Sequence, residues 1–373
     1  MTERQRILAV YRGETPDQVP LMLDLSHYYY HRFQKDWDLC RGYAQPESDM
    51  IQFNKQMKAG FYMPNQSIFF RAHTAPDVTS TVRRIRTHGP DEIAWRCDTP
   101  LGSIERVRVW NAPSYSWAIR RWGVETEQDL EVLGRALSTQ TFEPVWDSYR
   151  AWEAEAGEDG VVYIIAGYSA MGQLLNYWMG VENTIYAAMD WPDTLHAVVD
   201  AINENNLNLI RLLAQSPAPV ICMGDNFSSD VQSPAFFAEW SADYYGRAID
   251  ILHAAGKKVA VHVDGKLRNA IAMIRDVGAD AIDAVTPGSV GAYTPQQCRD
   301  EAGDKLILSG GIPNELWLPE FPMAHFERAV LDWLDLRERS SALISAAGDQ
   351  VPPGAEERRI HRMRELVDQY GRY

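Results

Sequence analysis

A histidine and an aspartate two residues apart, His262 and Asp264, are the residues of this sequence best placed to do chemistry. They lie at the end of the apolar run 258–263, and residues i and i+2 of a strand project from the same face. Asp349 likewise follows a short apolar run, residues 342–344. If both strands belong to one parallel barrel, His262, Asp264 and Asp349 converge on one metal ion or one proton. The alternative is structural, because a lone histidine is often only hydrogen-bonded and Asp before Gly often forms a turn.

The composition is typical of a soluble globular protein, with 46% hydrophobic and 23% charged residues in a chain of 373. No apolar run approaches the roughly 18 residues of a membrane span, and residues 2–11 predict an amphipathic helix in place of a signal peptide. We therefore expect a cytoplasmic protein. A formal charge of −15 argues against a nucleic-acid partner. The four cysteines have no metal-binding or disulfide spacing, and a homo-oligomer is left open.

From about residue 160 onward, short apolar runs alternate with amphipathic segments. This alternation predicts a parallel α/β fold. The predicted strands are residues 19–25, 161–166, 220–223, 258–263, 281–285, 306–308 and 342–344. The predicted helices are residues 2–11, 184–213, 234–255, 267–277, 324–336 and 355–370.

The first choice of fold is a single (β/α)8 TIM barrel over residues 1–373, with one further strand coming from an N-terminal excursion at residues 26–111. This excursion is irregular, contains helical and β-hairpin runs at residues 80–87 and 93–109, and is expected to act as a lid over the barrel mouth. A doubly wound open sheet is the runner-up, but no glycine-rich phosphate turn follows residues 19–25.

In a barrel the carboxyl ends of the strands face the active site. Here those ends are rich in carboxylates, which favours a cation or proton-transfer site over an anion site. The strand ends carry Asp24, Tyr168, Asp225, Asn226, His262, Asp264, Asp283 and Asp349.

Further candidates surround this set. Asp225 is a candidate catalytic base or fourth ligand beside His262 and Asp264, and Tyr28, Tyr168 and Asn226 are candidate substrate contacts. His27 and His31 are either a second ligand pair or, as we favour, packing residues.

The chain resembles the uroporphyrinogen decarboxylase superfamily over nearly its whole length. The resemblance rests on the opening RILAVYRGETPDQVP at residues 6–20, on GDN at residues 224–226, on SP at residues 233–234, on the GKK run at residues 256–258 leading to His262, and on LSGGI at residues 308–312. Members of the superfamily are (β/α)8 barrels and include true decarboxylases and corrinoid-linked methyltransferases. The true decarboxylases carry an arginine-rich motif after the first strand, and here residues 26–31 read SHYYYH. The resemblance therefore favours the methyltransferase branch.

The methyltransferase branch uses a zinc site of the form His-x-Cys with a later cysteine in a Gly-Cys-Gly context. Here His262-Val263-Asp264 and Gly348-Asp349-Gln350 align with it, so both thiolate positions are aspartates. The resemblance then implies a His262, Asp264 and Asp349 set for a divalent metal, with zinc the first choice, that activates a leaving oxygen. The implied enzyme is an O-demethylase that moves a methyl group from a small methoxylated donor to a corrinoid carrier, and an aromatic donor is one of the options.

Three alternatives stay open. The aspartates can instead mark loss of the metal, with Asp264 or Asp349 as a general acid. A metal-free decarboxylase or lyase of a small acid would use the same aspartates at the barrel mouth. A non-catalytic binding protein is the third. No cobalamin-binding segment is visible in the sequence, so the corrinoid is expected on a partner protein or as free cofactor.

Overall fold

The computed structural model describes residues 1–40, 45–62, 69–86 and 88–373. Strands and helices are numbered here in chain order. The strands are β1 Phe70–His73, β2 Thr79–Ile85, β3 Glu92–Thr99, β4 Gly102–Asn111, β5 Ser116–Arg121, β6 Thr141–Pro144, β7 Ile164–Ile165, β8 Val220–Phe227, β9 Lys258–Val263, β10 Ala281–Val285, β11 Ile307–Ile312 and β12 Leu343–Ala347. The helices are α1 Glu3–Tyr11, α2 Ser26–Arg32, α3 Ser48–Gln56, α4 Glu127–Ser138, α5 Trp146–Ala156, α6 Ala170–Gln173, α7 Val181–Asp190, α8 Pro192–Leu213, α9 Pro234–Trp240, α10 Ala242–Ala254, α11 Ala270–Asp276, α12 Pro295–Ala302, α13 Met323–Leu334 and α14 Glu357–Tyr370.

The strands β7 to β12 form one parallel sheet in chain order. Two short segments continue the hydrogen bonding beyond its edges: Leu21 pairs in parallel with Ser345 of β12, and Met22 pairs with Gly60. Phe61 pairs in parallel with Gly160, just before β7. Eight parallel segments thus follow one another around a ring with helices between them, which confirms the predicted (β/α)8 fold class and places its second segment at residues 60–62.

The predicted excursion, residues 26–111, contains three strands of an antiparallel sheet with the order β2-β3-β4-β5, and the fourth strand, β5, lies beyond its predicted end. The hairpin predicted at residues 93–109 is present as β3 and β4, with Thr99 paired to Gly102 across the turn. The run predicted at residues 80–87 is β2, which ends at Ile85, and Thr87 lies outside the described residues. The strand β5 was not predicted.

Two long predicted helices are each divided in the structure. The segment 184–213 consists of α7 and α8, because Pro192 has no N–H to continue a helix and begins α8 instead. The segment 234–255 consists of α9 and α10, which meet at Ser241. These breaks change helix directions but leave the alternation of strands and helices intact.

The four-stranded sheet is attached to segments that follow barrel strands. Trp117 of β5 donates from Nε1 to the carbonyl oxygen of Trp37 at 2.7 Å, beyond α2. The backbone N–H groups of Gly123 and Val124 each donate to the Trp178 carbonyl at 2.9 Å. Both partners lie downstream of carboxyl ends of barrel segments, so the sheet lies on the side where a barrel carries its active site. No helix within the described ranges is long and apolar enough to cross a bilayer.

Candidate active site

The centre of the site is His262, near the end of β9. Its Nδ1 lies 3.1 Å from Oδ2 of Asp283 in β10, and its Nε2 lies 3.8 Å from Oδ1 of Asp349. The Asp283 side chain is 1% exposed, whereas that of Asp349 is 39% exposed. The imidazole is therefore held by a buried carboxylate on one side and faces a more open carboxylate on the other.

Strand pairing explains why His262 and Asp283 meet. They are register partners on the neighbouring parallel strands β9 and β10. The register of β10 with β11 shifts between Ile282 and Val285, and Ala284 has a φ of 64°. Such a bulge re-aims the side chains next to it, and here one of those side chains is the carboxylate that contacts His262.

Asp349 is positioned by the residue before it. The carbonyl oxygen of Gly348 accepts a hydrogen bond from Oγ1 of Thr286 at 2.6 Å, and its N–H donates to the Ile312 carbonyl at 2.7 Å. A Cβ added at residue 348 would collide with the Thr286 side chain. The glycine is thus needed for this close approach, which fixes the loop that carries Asp349 toward His262.

The charges around His262 govern its protonation. Burial by itself lowers the pKa of His262, but the hydrogen bond to Asp283 and the charges of Asp283, Asp349 and Asp264 outweigh it and raise the pKa to about 9. For Asp349, burial raises the pKa, the His262 charge lowers it, and the nearby Asp264 and Asp283 raise it further, with a net rise. At neutral pH the imidazole is therefore a cation among carboxylates.

A fourth carboxyl group, Asp24, adjoins the same cluster. It follows the first barrel segment, and its Oδ1 accepts hydrogen bonds from the backbone N and from Oγ of Ser26 at 2.9 and 2.5 Å. Burial raises the pKa of Asp24, the Ser26 hydrogen bonds lower it, and the charges of Asp349 and Asp283 raise it again. The net result is a pKa of about 6. Asp24 and Asp283 were absent from the predicted site residues, although both stood among the strand-end carboxylates.

Asp264 stands at the rim of the cluster. Asp264 is exposed, and its backbone N–H donates to the Phe227 carbonyl at 3.0 Å, which fixes the backbone just beyond β9. It contributes to the field that raises the pKa of His262. The structure thus brings together the predicted His262, Asp264 and Asp349, with Asp264 as the outermost of the three.

Asp225 is engaged elsewhere. Its carboxylate is 1% exposed and accepts a hydrogen bond at 2.6 Å from the backbone N of Ser169, and another from the Ser169 hydroxyl. Ser169 is the N-cap of α6, and burial raises the pKa of Asp225. The carboxylate therefore fixes the segment that follows β7. The structure places Asp225, the predicted base or fourth ligand, in this contact with Ser169.

The predicted substrate contacts divide into two groups. The Tyr168 hydroxyl donates to Oδ1 of Asn226 at 3.0 Å, so these two join the ends of β7 and β8. Tyr28 is 3% exposed and stacks on Phe53, with its hydroxyl near Glu357. Tyr28 therefore lies in the packed core around α2, whereas Tyr168 and Asn226 lie at barrel-strand ends.

The two histidines of α2 both contact the hairpin that ends in β5. Nε2 of His27 lies 2.9 Å from the Tyr115 carbonyl oxygen and 3.0 Å from that of Ser114. His31 packs edge-on against the Tyr115 ring, with 5.2 Å between ring centres. These contacts match the packing role favoured for them and attach the antiparallel sheet to the barrel.

The predicted metal set is not assembled as three ligands. In the part of the chain that the structure describes, no group of three His, Cys, Asp or Glu side chains is arranged to hold a metal ion. The closest approach is the pair formed by His262 Nε2 and Asp349 Oδ1, with Asp264 turned toward solvent. A zinc site needs at least three protein ligands, so the residues as placed do not fit one.

What these residues can do is move a proton. The Nδ1 contact with Asp283 orients the ring and leaves Nε2 directed at the mouth, where a positioned acid can donate to a substrate atom within about 3 Å. At 3.8 Å from Nε2, the Asp349 carboxylate is beyond hydrogen-bond distance and acts on the imidazolium through its charge. The cluster therefore has the geometry that acid–base chemistry requires, at the carboxyl ends of the barrel strands.

Comparisons with known proteins agree with this fold. The family model described as Uroporphyrinogen decarboxylase (URO-D) matches residues 120–370. Among solved structures, a methyltransferase from Methanosarcina mazei superposes with a TM-score of 0.64 at 13% identity, covering 99% of this chain and 99% of that one. At this identity the likeness shows the fold alone.

Another solved structure is far less similar. The D-psicose 3-epimerase from Clostridium cellulolyticum H10 has a TM-score of 0.33 at 12% identity over 60% of this chain and 82% of its own, which supports no argument about activity. The comparison with curated proteins gave no significant match.

Proposed function

Since the chain belongs to the uroporphyrinogen decarboxylase family, we propose that it is a methyltransferase of the O-demethylase type, which moves a methyl group from a small methoxylated molecule to a corrinoid carrier. In such a transfer the carbon–oxygen bond of the donor breaks, and the methyl group passes to the acceptor. The oxygen keeps the electron pair of that bond and must take up a proton. The proposal rests on a residue able to deliver that proton.

The contact between His262 and Asp283 is the observation that carries this proposal. An alkoxide or phenolate is a poor leaving group unless its oxygen is protonated as the bond breaks. Because Asp283 holds Nδ1 at 3.1 Å, the proton on Nε2 is available to the leaving oxygen of a methyl donor at the barrel mouth. The charge of Asp349, 3.8 Å from Nε2, stabilises the imidazolium before transfer, and the neutral ring then takes up a proton from solvent at the open mouth.

The acceptor is expected on a partner protein or as free cofactor, and a corrinoid held there would supply the nucleophile for the methyl carbon. Such delivery requires an open barrel mouth. The chain fits that requirement because Asp264 is exposed and Asp349 is 39% exposed, although His262 and Asp283 behind them are buried or nearly so. The open carboxylates mark the side from which an acceptor would approach the proton donor.

A specific observation favours a second candidate, a metal-free decarboxylase or lyase of a small acid. The pKa of Asp24, raised by burial to about 6, makes it a carboxylic acid at mildly acidic pH, and such a group can protonate a carbanion. This reaction would need no methyl acceptor. The two candidates are therefore separated by whether turnover depends on the corrinoid.

The test combines the purified protein with reduced cobalamin and two donors, 2-methoxyphenol and 4-methoxybenzoate. Methylcobalamin is followed by its absorbance and the demethylated phenol by mass spectrometry. We expect His262→Gln to lower the rate by roughly 10²- to 10⁴-fold, the range for loss of a positioned general acid.

His253→Gln is the matched control. His253 also contacts a carboxylate, with its Nε2 2.7 Å from Oδ2 of Asp280, but Asp280 precedes β10 at the opposite end of the barrel. This variant should keep wild-type turnover. Wild-type protein that forms no methylcobalamin from either donor would contradict methyl transfer, and full activity in His262→Gln would remove His262 from the mechanism.

A further inference from the structure

Two neighbouring arginines in the four-stranded sheet differ from the others in having no acidic partner among the residues that the structure describes. Arg83, Arg84, Arg96, Arg120 and Arg121 each form an ion pair with an aspartate or glutamate. Arg106 and Arg108 of β4 form none with any described residue, and the Nε atom of each is buried without a hydrogen-bond partner among them. In a chain with a net charge of −15, this is a local concentration of uncompensated positive charge.

Aromatic rings hold these two guanidinium groups in place. Arg106 is 6% exposed and lies 4.4 Å from the ring centre of Trp95, 4.7 Å from that of Tyr177 and 4.9 Å from that of Trp178. Arg108, which is only half-buried, lies 4.8 Å from the same Tyr177 ring. Arg106 is therefore enclosed, whereas Arg108 is left accessible beside it.

Two cations this close repel each other unless an anion lies near them. Burial, together with the charge of Arg108, lowers the pKa of Arg106 to about 9. The Arg106 side chain donates one hydrogen bond, from Nη1 to the Tyr177 carbonyl at 3.3 Å. The rings and this carbonyl offset part of the cost, but no negative charge within the described residues balances the pair.

The pair is connected to the barrel mouth through aromatic contacts. The Tyr177 ring packs edge-on against Tyr168, with 4.7 Å between ring centres. The Tyr168 hydroxyl in turn donates to Asn226 at the end of β8. A small molecule at the ends of β7 and β8 would therefore meet the accessible side of the Arg108 guanidinium group beside the Tyr177 and Tyr168 rings.

We propose that Arg108, with Arg106 behind it, binds a carboxylate of an aromatic substrate where the four-stranded sheet meets the barrel mouth. A guanidinium group takes a carboxylate through two parallel hydrogen bonds, and the half-buried Tyr168 ring, packed edge-on against Tyr177, is the neighbouring aromatic surface for the ring of such a substrate. That this ligand is the methyl donor rests on the proposed function. Binding of a carboxylate at the site does not depend on turnover. It makes a methoxybenzoate a better ligand than its neutral amide.

The test is isothermal titration of the full chain with benzoate, 4-methoxybenzoate and 4-methoxybenzamide. We expect both carboxylates to bind wild-type protein, and the amide to bind more weakly. Arg108→Gln should weaken the two carboxylates by roughly tenfold or more, the range for loss of a charged hydrogen bond, and leave the amide unchanged. Arg108→Lys keeps the charge but loses the bidentate geometry, so its affinity for the carboxylates should lie between those of the wild type and of Arg108→Gln.

Arg83→Gln is the matched control, because it removes the same charge from an exposed arginine of the same sheet. Its affinities should equal those of the wild type. Equal loss in Arg83→Gln, unchanged carboxylate binding in a folded Arg108→Gln or Arg108→Lys protein, or no saturable binding of either carboxylate to the wild type would each overturn the proposal. Because benzoate has no methyl group to give, its binding would stand even if methyl transfer were disproved.

Discussion

Nδ1 of His262 lies 3.1 Å from the buried carboxylate of Asp283, its register partner on the adjacent parallel strand. This contact fixes the ring and makes the imidazolium the favoured form, since the Asp283 carboxylate faces the proton on Nδ1. A histidine held in this way presents only Nε2 to the mouth of the barrel. The orientation and charge of His262 therefore depend on Asp283, which is itself too buried to contact a ligand.

Replacement of Asp283 is expected to shift the protonation of His262. Asp283 raises the pKa of His262 both by its hydrogen bond and by its charge, so Asp283→Asn should lower that pKa from about 9 toward the ordinary value of about 6.5. The shift can be followed by the pH dependence of the His262 ring signals in NMR. If the acid form is needed, the alkaline limb of the pH–rate profile should move to lower pH by a similar amount. A His262 pKa that is unchanged in Asp283→Asn would contradict the assigned contact.

Asp24 should make the protein less stable as the pH rises. Its folded-state pKa is raised to about 6, so its contribution to stability is fully present below the unfolded-state pKa near 3.9 and is lost as the pH rises through about 6. Asp24→Asn removes this dependence, and its stability relative to wild type should increase between pH 4.5 and pH 8 by on the order of 1–3 kcal/mol. Urea unfolding at the two pH values measures the difference. A stability difference between Asp24→Asn and wild type that is the same at both pH values would contradict this contribution.

Gly172 should not tolerate a larger residue. A Cβ at this position in α6 would collide with the Asp225 carboxylate, which is buried and held by Ser169. We expect Gly172→Ala to lower the free energy of unfolding by about 1–3 kcal/mol, as overpacking does. Gly246→Ala in α10 is the control, because no atom lies within 4 Å of its added Cβ. That variant should be neutral or stabilising by roughly 0.5–1 kcal/mol. An equally stable Gly172→Ala would mean that Asp225 is not packed against α6.

Metal analysis tests whether Asp264 joins His262 and Asp349 around an ion. With two donors facing each other and the third turned to solvent, we expect substoichiometric metal by elemental mass spectrometry and turnover that survives dialysis against a chelator. Near-stoichiometric zinc in the wild type, lost in both His262→Ala and Asp349→Ala, would instead establish the three-ligand set. Asp349→Ala is informative in either case, since Asp349 belongs to both arrangements.

The position of His262 followed from sequence alone. The apolar run before it is the length of one buried strand, and a residue near the carboxyl end of a parallel strand faces the active-site side of a barrel. The same reasoning placed Asp349 and Tyr168 at strand ends. The alternation of strands and helices after residue 160 likewise determined the fold class, because it is a repeated local pattern.

The choice among the carboxylates was decided by tertiary structure. Asp225 and Asp283 both lie at strand ends, yet Asp225 caps α6 through Ser169 while a bulge in β10 brings Asp283 onto His262. The pairing of Arg106 and Arg108 with Tyr177 also joins residues about 70 positions apart. Sequence periodicity gives the face of a strand on which a side chain lies, but not the bulges and neighbouring loops that set its final direction. Those depend on contacts between distant segments, and they determine which groups of this barrel act together.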